Sequence, residues 1–223
     1  MKITRNLIVI MVIVVIMSSF IGYELVASQK INELAGIEIK EYNGQKLSSI
    51  NDFRENSING PQYIDPLSYR LIVTGLVNKN MTYTYDDVIN KHQLYEKVVT
   101  LNCVEGWDVT ILWEGVLVKD LLEEAGINPK AKVVIFYAYD GYSTSFPLDF
   151  ITSNQIIMAY KMNGVVLPPE RGFPFELVAE SKWGYKWIKW ITKIELSDNV
   201  NFRGYWESRG YSNDANQDKP FTG

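Results

Sequence analysis

The chain has 223 residues, of which 47% are hydrophobic, and a formal net charge of −4 at pH 7. This length and composition suit one sizeable globular domain with an additional segment. The acidic balance argues against a nucleic-acid surface, which needs a concentrated basic patch. The single histidine, His92, nearly excludes histidine-based metal sites and Ser-His-Asp triads. It lies in INKHQLYE, which predicts a solvated side chain at a helix end.

The N-terminus carries an almost unbroken apolar run from Leu7 to Phe20, preceded by Lys2 and Arg5. Its length lies between that of a signal-peptide core and that of a membrane-spanning helix. The missing cleavage pattern favours an uncleaved transmembrane anchor, and the flanking positive charges predict that the rest of the protein is extracytoplasmic. We therefore divide the chain into an anchor or signal (1–27), a tether (28–49) and a domain (50–223).

The domain is predicted to be α+β with one mixed sheet, because strands and short helices alternate without a regular βαβ repeat. The clearest local signals are a capping box from Thr84 to Asp87, a helix stop at Gly126 and a hairpin turn at Asn163-Gly164. The predicted helices are a short one that follows Thr84 and ends at about Lys91, a second over Val116–Ala125, and a short turn over Pro147–Ser153. Predicted strands cover Tyr69–Val77, Val98–Asn102, Val133–Tyr139, Gln155–Tyr160, Val165–Leu167, Phe175–Ala179 and Trp190–Leu196.

The only cysteine, Cys103, follows the predicted strand Val98–Asn102 and precedes the turn-forming Gly106. A lone thiol makes no intramolecular disulfide, so it is a packing residue, a nucleophile or a metal ligand. Side chains at strand ends are commonly functional, which favours a site. Trp107 and Trp113, close by in the sequence, are candidates for a pocket wall or for the core.

The segment Ser181–Lys193 combines four lysines and three tryptophans around Gly184. One interpretation is a strand edge that lysines protect from further pairing. The other is an anion site, because backbone N–H groups at a glycine turn and lysine ammonium groups both suit a phosphate. The glycine favours a turn followed by a strand. The residues alone leave both interpretations open.

Five ordered segments resemble the molybdopterin-binding catalytic domain of the sulfite oxidase superfamily, which includes the periplasmic methionine-sulfoxide reductase catalytic subunit. They are LNCVEGW, DGYSTSFPLD, AYKMNGVVLPPERGFPFELV, WGYKWIKWITKIEL and GYWESRGYS. The resemblance covers about Arg54 to Phe221. It implies a molybdenum-molybdopterin cofactor and two-electron oxygen-atom transfer.

The resemblance also implies roles for individual residues. Cys103 matches the cysteine that gives its thiolate to molybdenum, whose other sulfur ligands come from the pterin dithiolene. Tyr142 matches the active-site tyrosine of sulfite oxidases, although a tyrosine that only forms a turn is the alternative. The positions implied in cofactor binding are Arg54, Asn56, Ser57, Arg171, Gly184, Tyr185, Lys186 and Lys189.

This chain departs from the family pattern in the domain and at the N-terminus, and its cysteine motif bears on the reaction. Glu176 stands where relatives usually have Arg, and Glu180 where they usually have Pro. CVEGW resembles the reductase motif more than the arginine-containing sulfite oxidase motif, which slightly favours reduction of an S-oxide over oxidation of an oxyanion such as sulfite. The N-terminus lacks a twin-arginine signal.

The resemblance has consequences for partners as well. Because no haem domain or dimerisation domain fits in the remaining residues, we expect a monomer that exchanges electrons with a separate membrane protein, such as a haem protein. The alternative is a membrane-anchored, non-catalytic binding module that has kept the fold without molybdenum. Metal analysis separates the two.

Overall fold

The computed structural model describes residues 29–222. The predicted anchor (1–27) lies outside the described residues. Among residues 29–222, none of the helices has the length and apolar character needed to cross a membrane.

The described part of the chain contains twelve strands and four α-helices, with three short 3₁₀ turns. The helices are α1 (residues 29–37), α2 (Tyr85–Lys91), α3 (Val118–Ala125) and α4 (Leu148–Ser153). The 3₁₀ turns are Pro169–Arg171, Gly184–Lys186 and Glu207–Arg209. The strands are β1 (Glu41–Tyr42), β2 (Gln45–Lys46), β3 (Leu71–Gly75), β4 (Met81–Tyr83), β5 (Tyr95–Asn102), β6 (Asp108–Leu117), β7 (Val133–Ala138), β8 (Ser143–Pro147), β9 (Ile157–Met162), β10 (Val165–Val166), β11 (Glu176–Val178) and β12 (Ile191–Ser197).

The strands form a two-stranded hairpin and two five-stranded sheets. One sheet has the order β10-β9-β6-β5, with β11 also paired to β9, and all of its pairs are antiparallel. The other has the order β4-β3-β12-β7-β8 and is mixed, because β12 is parallel to β3 and antiparallel to β7. The predicted α+β class and mixed sheet are therefore confirmed, but the strands divide between two main sheets.

Local sequence signals account for several of these elements. The Thr84 hydroxyl accepts from the Asp87 backbone N–H at 3.0 Å, and the Asp87 carboxylate accepts from the Thr84 N–H, which confirms the predicted capping box. Gly126 ends α3 at a φ of 76°, and Asn163-Gly164 connects β9 to β10 as predicted. Helix α3 starts at Val118, since Val116 and Leu117 still belong to β6.

Residues 38–49, in the segment predicted as a tether, make specific contacts with the domain. Glu38 is buried and its carboxylate accepts hydrogen bonds from the Ser49 hydroxyl, the Ile50 N–H and the Asn163 side-chain amide. Ser48 bonds to Thr110 of β6 through its backbone N–H and its hydroxyl. This part of the segment is thus held against the sheet that contains β6.

Candidate active site

A cavity of about 200 Å³ lies where the ends of both sheets and several loops meet. Its walls come from the loop after residue 52, the turn after β5, the β7–β8 turn, the start of β11 and the segment 184–190. The sequence-predicted residues that line it are Arg54, Asn56, Ser57, Cys103, Tyr142, Arg171, Gly184, Tyr185 and Lys189. The structure therefore brings together nine of the ten predicted positions.

Cys103 lies at the end of β5 in a tight turn. Its N–H donates to the Trp107 carbonyl at 2.9 Å, and its carbonyl accepts from the Gly106 N–H at 3.1 Å. Gly106 has a φ of 82°, a conformation that favours glycine. The residue is only 8% exposed, and yet its thiol lines the cavity. Cys103 is therefore buried and at the same time borders the cavity.

The surroundings of the Cys103 thiol act on its charge in both directions. Burial raises its pKa and the nearby Glu105 carboxylate raises it further, whereas backbone N–H groups of Glu105 and Val104 and the Arg54 guanidinium lower it. The net direction is upward, so the thiol keeps its proton at neutral pH without a metal. A bound metal ion would deprotonate it, as metals do with coordinating thiols.

The segment from Gly184 approaches this cysteine closely. A Cβ added at Gly184 would lie 3.2 Å from the Asn102 carbonyl oxygen and 3.4 Å from the Cys103 Cα. The small residue therefore keeps backbone, rather than a side chain, beside the thiol. The 3₁₀ turn Gly184–Lys186 precedes β12, which confirms the predicted turn followed by a strand.

Tyr142 and Tyr185 both line the cavity and are joined by a hydrogen bond. The Tyr142 hydroxyl donates to the Tyr185 carbonyl, and the Tyr185 hydroxyl donates to the Ser212 carbonyl at 2.7 Å. Burial raises the pKa of Tyr142 well above its ordinary value, and the nearby Glu207 charge raises it further. Tyr142 is therefore a neutral donor across the physiological pH range.

A cationic region lies in another part of the cavity wall. The Lys189 ammonium donates to the Glu55 carboxylate at 3.0 Å and to the Glu170 carbonyl at 3.3 Å, and it lies 4.4 Å from the centre of the Trp190 ring. The Arg171 guanidinium stacks 4.9 Å from the centre of the Phe53 ring. The Arg171 guanidinium also donates to the Ile50 carbonyl at 3.3 Å and to the Phe53 carbonyl at 3.2 Å, so protein groups hold both charged heads in the cavity wall.

Lys186 is the predicted residue that does not line the cavity. Its ammonium is 1% exposed and donates to the Ser145 carbonyl at 2.6 Å, the Glu207 carboxylate at 2.7 Å and the Asn213 carbonyl at 3.1 Å. All of these acceptors belong to the protein. This geometry makes Lys186 a buried structural cation, and it does not support the prediction of a direct contact with a phosphate.

The lysines also do not protect a sheet edge, so that interpretation of the segment is wrong. Strand β12 is an interior strand between β3 and β7, and Lys182 is buried as well as Lys186. Sequence reasoning missed several cavity residues, and the matched segments GYWESRGYS and DGYSTSFPLD were signals that could have found some of them. The missed lining residues include Asp140, Glu105, Glu170, Trp206 and Tyr211.

The cavity fits the group that the resemblance implies. It offers one thiol for a metal, and two cations with the Gly184 turn for a phosphate. It also contains buried polar atoms that lack any protein partner, Ser57 Oγ and Glu176 Oε2. Buried polar atoms without partners are rare in folded proteins, so two of them in one cavity wall are suited to a polar ligand. Trp107 also lines the cavity, whereas Trp113 is fully buried in the core.

Comparison with known proteins gives one family and several relatives. The family model described as "Oxidoreductase molybdopterin binding domain" matches residues 58–206. The uncharacterized oxidoreductase YuiH of Bacillus subtilis is 36% identical over 152 residues, which are 68% of this chain and 76% of that protein. The putative protein-methionine-sulfoxide reductase subunit YedZ1 of Azospira oryzae is 34% identical over 67% of this chain and 56% of that protein.

Two more distant similarities agree with these. The protein-methionine-sulfoxide reductase catalytic subunit MsrP of Gluconobacter oxydans is 30% identical over 62% of this chain and 50% of its own length. The crystal structure of the sulfane dehydrogenase SoxCD from Paracoccus pantotrophus superimposes with a TM-score of 0.64 at 23% identity, covering 72% of this chain and 44% of that one. The chain thus spans about half the length of several of the proteins it matches.

Proposed function

This chain belongs to the oxidoreductase molybdopterin-binding domain family, and we propose that it reduces neutral S-oxides by two-electron oxygen-atom transfer. Family membership makes it a molybdenum-dependent oxidoreductase domain that binds molybdopterin. This finding favours the enzyme over the non-catalytic module. The direction of the reaction and its substrate are our proposal.

The charge of the cavity supports a neutral substrate. Seven acidic or basic side chains line it, three of them basic and four acidic. The cations Arg171 and Lys189 are those suited to the cofactor phosphate, whereas the thiol lies within reach of both the Glu105 carboxylate and the Arg54 guanidinium. Because Glu105 offsets the charge of Arg54, an anion such as sulfite gains little attraction beside the thiol. A neutral S-oxide does not depend on such an attraction.

Aromatic side chains in the cavity wall suit the apolar part of such a substrate. Trp107, Trp206 and Tyr211 line the cavity. Trp206 and Tyr211 pack against each other with ring centres 5.1 Å apart, and Phe53 meets Trp107 edge to face at 6.2 Å. Aromatic walls bury the alkyl groups of a thioether favourably.

The residues of this chain take distinct parts in the proposed reaction. The cofactor, when bound, would supply the metal centre for oxygen-atom transfer and the two electrons that reduce the S-oxide. Cys103 provides the protein thiolate, and Gly184 leaves room for the approach of the cofactor beside it. Tyr142 keeps its proton and donates to the Tyr185 carbonyl, which fixes the backbone next to Gly184 in the cavity wall. The Arg171 and Lys189 cations attract the phosphate.

Two names among the relatives refer to methionine-sulfoxide reductases, which supports the S-oxide over sulfite.

We also propose that the apolar N-terminal run anchors the chain in a membrane with the domain on the extracytoplasmic side. A separate membrane protein, such as a haem protein, would then deliver the two electrons. Protease treatment of intact cells would cleave the domain if this placement is right.

The deciding experiment compares two substrates on one preparation. The chain is produced in a host that makes molybdopterin, and its molybdenum is measured per polypeptide. We expect reduced benzyl viologen to be oxidised on addition of methionine sulfoxide, two electrons and two protons giving one sulfide and one water per S-oxide. We expect no reduction of ferricyanide on addition of sulfite. Sulfite oxidation without S-oxide reduction would contradict the proposal.

A further inference from the structure

Glu176 is a buried carboxyl group in the cavity wall that the proposed reaction does not use. It begins β11 and is 3% exposed, and its Oε2 atom has no hydrogen-bond partner. Its neighbour in register on β9 is Ala159, which carries no charge. A carboxyl group buried without a partner is costly, so its retention in a ligand cavity calls for a ligand partner.

Backbone hydrogen bonds place this carboxyl beside Lys189. The Leu177 N–H donates to the Ile188 carbonyl at 2.9 Å, and the Ile191 N–H donates to the Phe175 carbonyl at 3.2 Å. Glu176 and Lys189 are thus adjacent across two paired segments. Both stems border Gly172, because a Cβ added there would lie 3.0 Å from Glu176 Cβ and 3.1 Å from Lys189 Cγ.

Two of the three cations that line the cavity, Lys189 and Arg171, act on Glu176. Lys189 and Arg171 both favour its ionised form, yet burial outweighs them and raises its pKa to about 8. The remaining acids nearby are Glu55, which pairs with Lys189, and Glu170 and Asp140, which line the cavity. Glu176 therefore carries a proton at pH 7 and has a donor available.

We propose that protonated Glu176 completes an anion site with Arg171 and Lys189, so that binding of a phosphate or sulfate group there depends on the Glu176 proton. The protonated carboxyl donates a hydrogen bond to the anion, whereas the carboxylate repels it. The anion in the assembled enzyme is the cofactor phosphate, which follows from family membership and not from the choice of substrate. Failure of the S-oxide assay would therefore leave this inference standing.

The sign of the pH dependence follows from linkage. An anion that binds only the protonated form raises the pKa of Glu176, so affinity is full below pH 8 and falls as the pH rises through it. For one linked proton and a free-state pKa of about 8, the affinity falls about tenfold between pH 7 and pH 9. Burial also lowers the pKa of Lys189, and its loss of charge would act in the same direction.

The experiment separates the titration of Glu176 from that of Lys189. It uses sulfate, which does not titrate in this pH range. The full chain is purified without cofactor from a host that cannot make molybdopterin, and sulfate binding is measured by calorimetry at pH 7 and pH 9. We expect an approximately tenfold loss in the wild type and in the matched cavity variant Glu170→Gln. Glu176→Gln, whose amide donates at every pH, should keep the pH 7 affinity at pH 9.

Two outcomes would overturn the proposal. If Glu176→Gln loses affinity as the wild type does, the linked proton belongs to Lys189. If the wild type binds no sulfate at pH 7, there is no anion site. If Glu176→Gln misfolds, proton uptake by the wild type on sulfate binding tests the proposal instead. Calorimetry at pH 8.5 in buffers of different ionisation enthalpy should show proton uptake on sulfate binding, and no uptake would refute the proposal.

Discussion

Replacing Lys186 by Met should destabilise the fold, while replacing Lys189 by Met should not. Lys186 and Glu207 form an ion pair at 2.7 Å whose side chains are 1% and 0% exposed. Removing one partner of a buried pair costs about 3–5 kcal/mol, because the other charge is left without compensation. Glu207 would keep only the Thr144 hydroxyl, and its Oε2 has no partner even in the wild type. We expect Lys186→Met to lose about 3–5 kcal/mol of unfolding free energy.

Lys189→Met is the matched control, since it removes the same charge three residues away. Its partner Glu55 has a side chain that is 32% exposed, so water can solvate the carboxylate that remains. We expect a loss of about 1 kcal/mol or less. Lys189→Met should however lose molybdopterin, measured as pterin and molybdenum per polypeptide, because it removes a cation from the cavity.

Urea unfolding followed by far-UV circular dichroism measures the unfolding free energy of each variant. The double variant Lys186→Met/Glu207→Met tests whether the uncompensated Glu207 charge causes the loss. With no charge left alone in the interior, the double variant should recover part of the stability that Lys186→Met loses. The reasoning is refuted if Lys186→Met unfolds like the wild type but binds no cofactor. That result would make Lys186 the phosphate ligand that the sequence predicts.

Three further predictions follow from single side chains. Cys103→Ser should fold, with an unchanged circular dichroism spectrum, but contain no molybdenum by mass spectrometry; bound molybdenum would show that Cys103 is not the ligand. The folded Glu176 carboxyl keeps a proton up to about pH 8, whereas the unfolded one loses it near pH 4.5. As the pH rises between these two values, the unfolding free energy of the wild type should therefore fall relative to that of Glu176→Gln by up to about 1.4 kcal/mol per pH unit. A constant difference between pH 5 and 7.5 in urea unfolding would contradict this. Tyr142→Phe leaves the Tyr185 carbonyl without its donor and should cost about 1–3 kcal/mol, while the pH–rate profile from pH 6 to 9 stays unchanged because Tyr142 does not ionise there; a lost pH limb would contradict that assignment.

Elements that local chemistry determines are the ones that the sequence predicted well. The Thr84 capping box, the stop at Gly126 and the Asn163-Gly164 hairpin each depend on residues within four positions of one another. The strand β6 was missed although it is the longest in the described chain. It pairs on both sides and is buried nearly throughout, so it shows no alternation of polar and apolar residues.

The site shows the same division between local and distant causes. That Cys103 ends a strand is readable from its own neighbourhood. That Lys186 turns into the protein while Lys189 turns into the cavity depends on Glu207, which is 21 positions from Lys186. The strand β8 was missed for a similar reason, because its buried Thr144 hydroxyl is satisfied by the same Glu207. No local pattern encodes such a partner.

The distribution of charge in the cavity connects these observations. Arg171 and Lys189, with the protonated Glu176 between the same segments, form a region that attracts an anion. The thiol of Cys103 lies instead within reach of two opposite charges, the Glu105 carboxylate and the Arg54 guanidinium, which act on its pKa in opposite directions. If both regions carried a net positive charge, a small anionic substrate and the cofactor phosphate would compete for the same cavity. Because Glu105 offsets Arg54 beside the proposed metal ligand, that region attracts an anion less than the Arg171 and Lys189 region does, in keeping with the proposed neutral substrate.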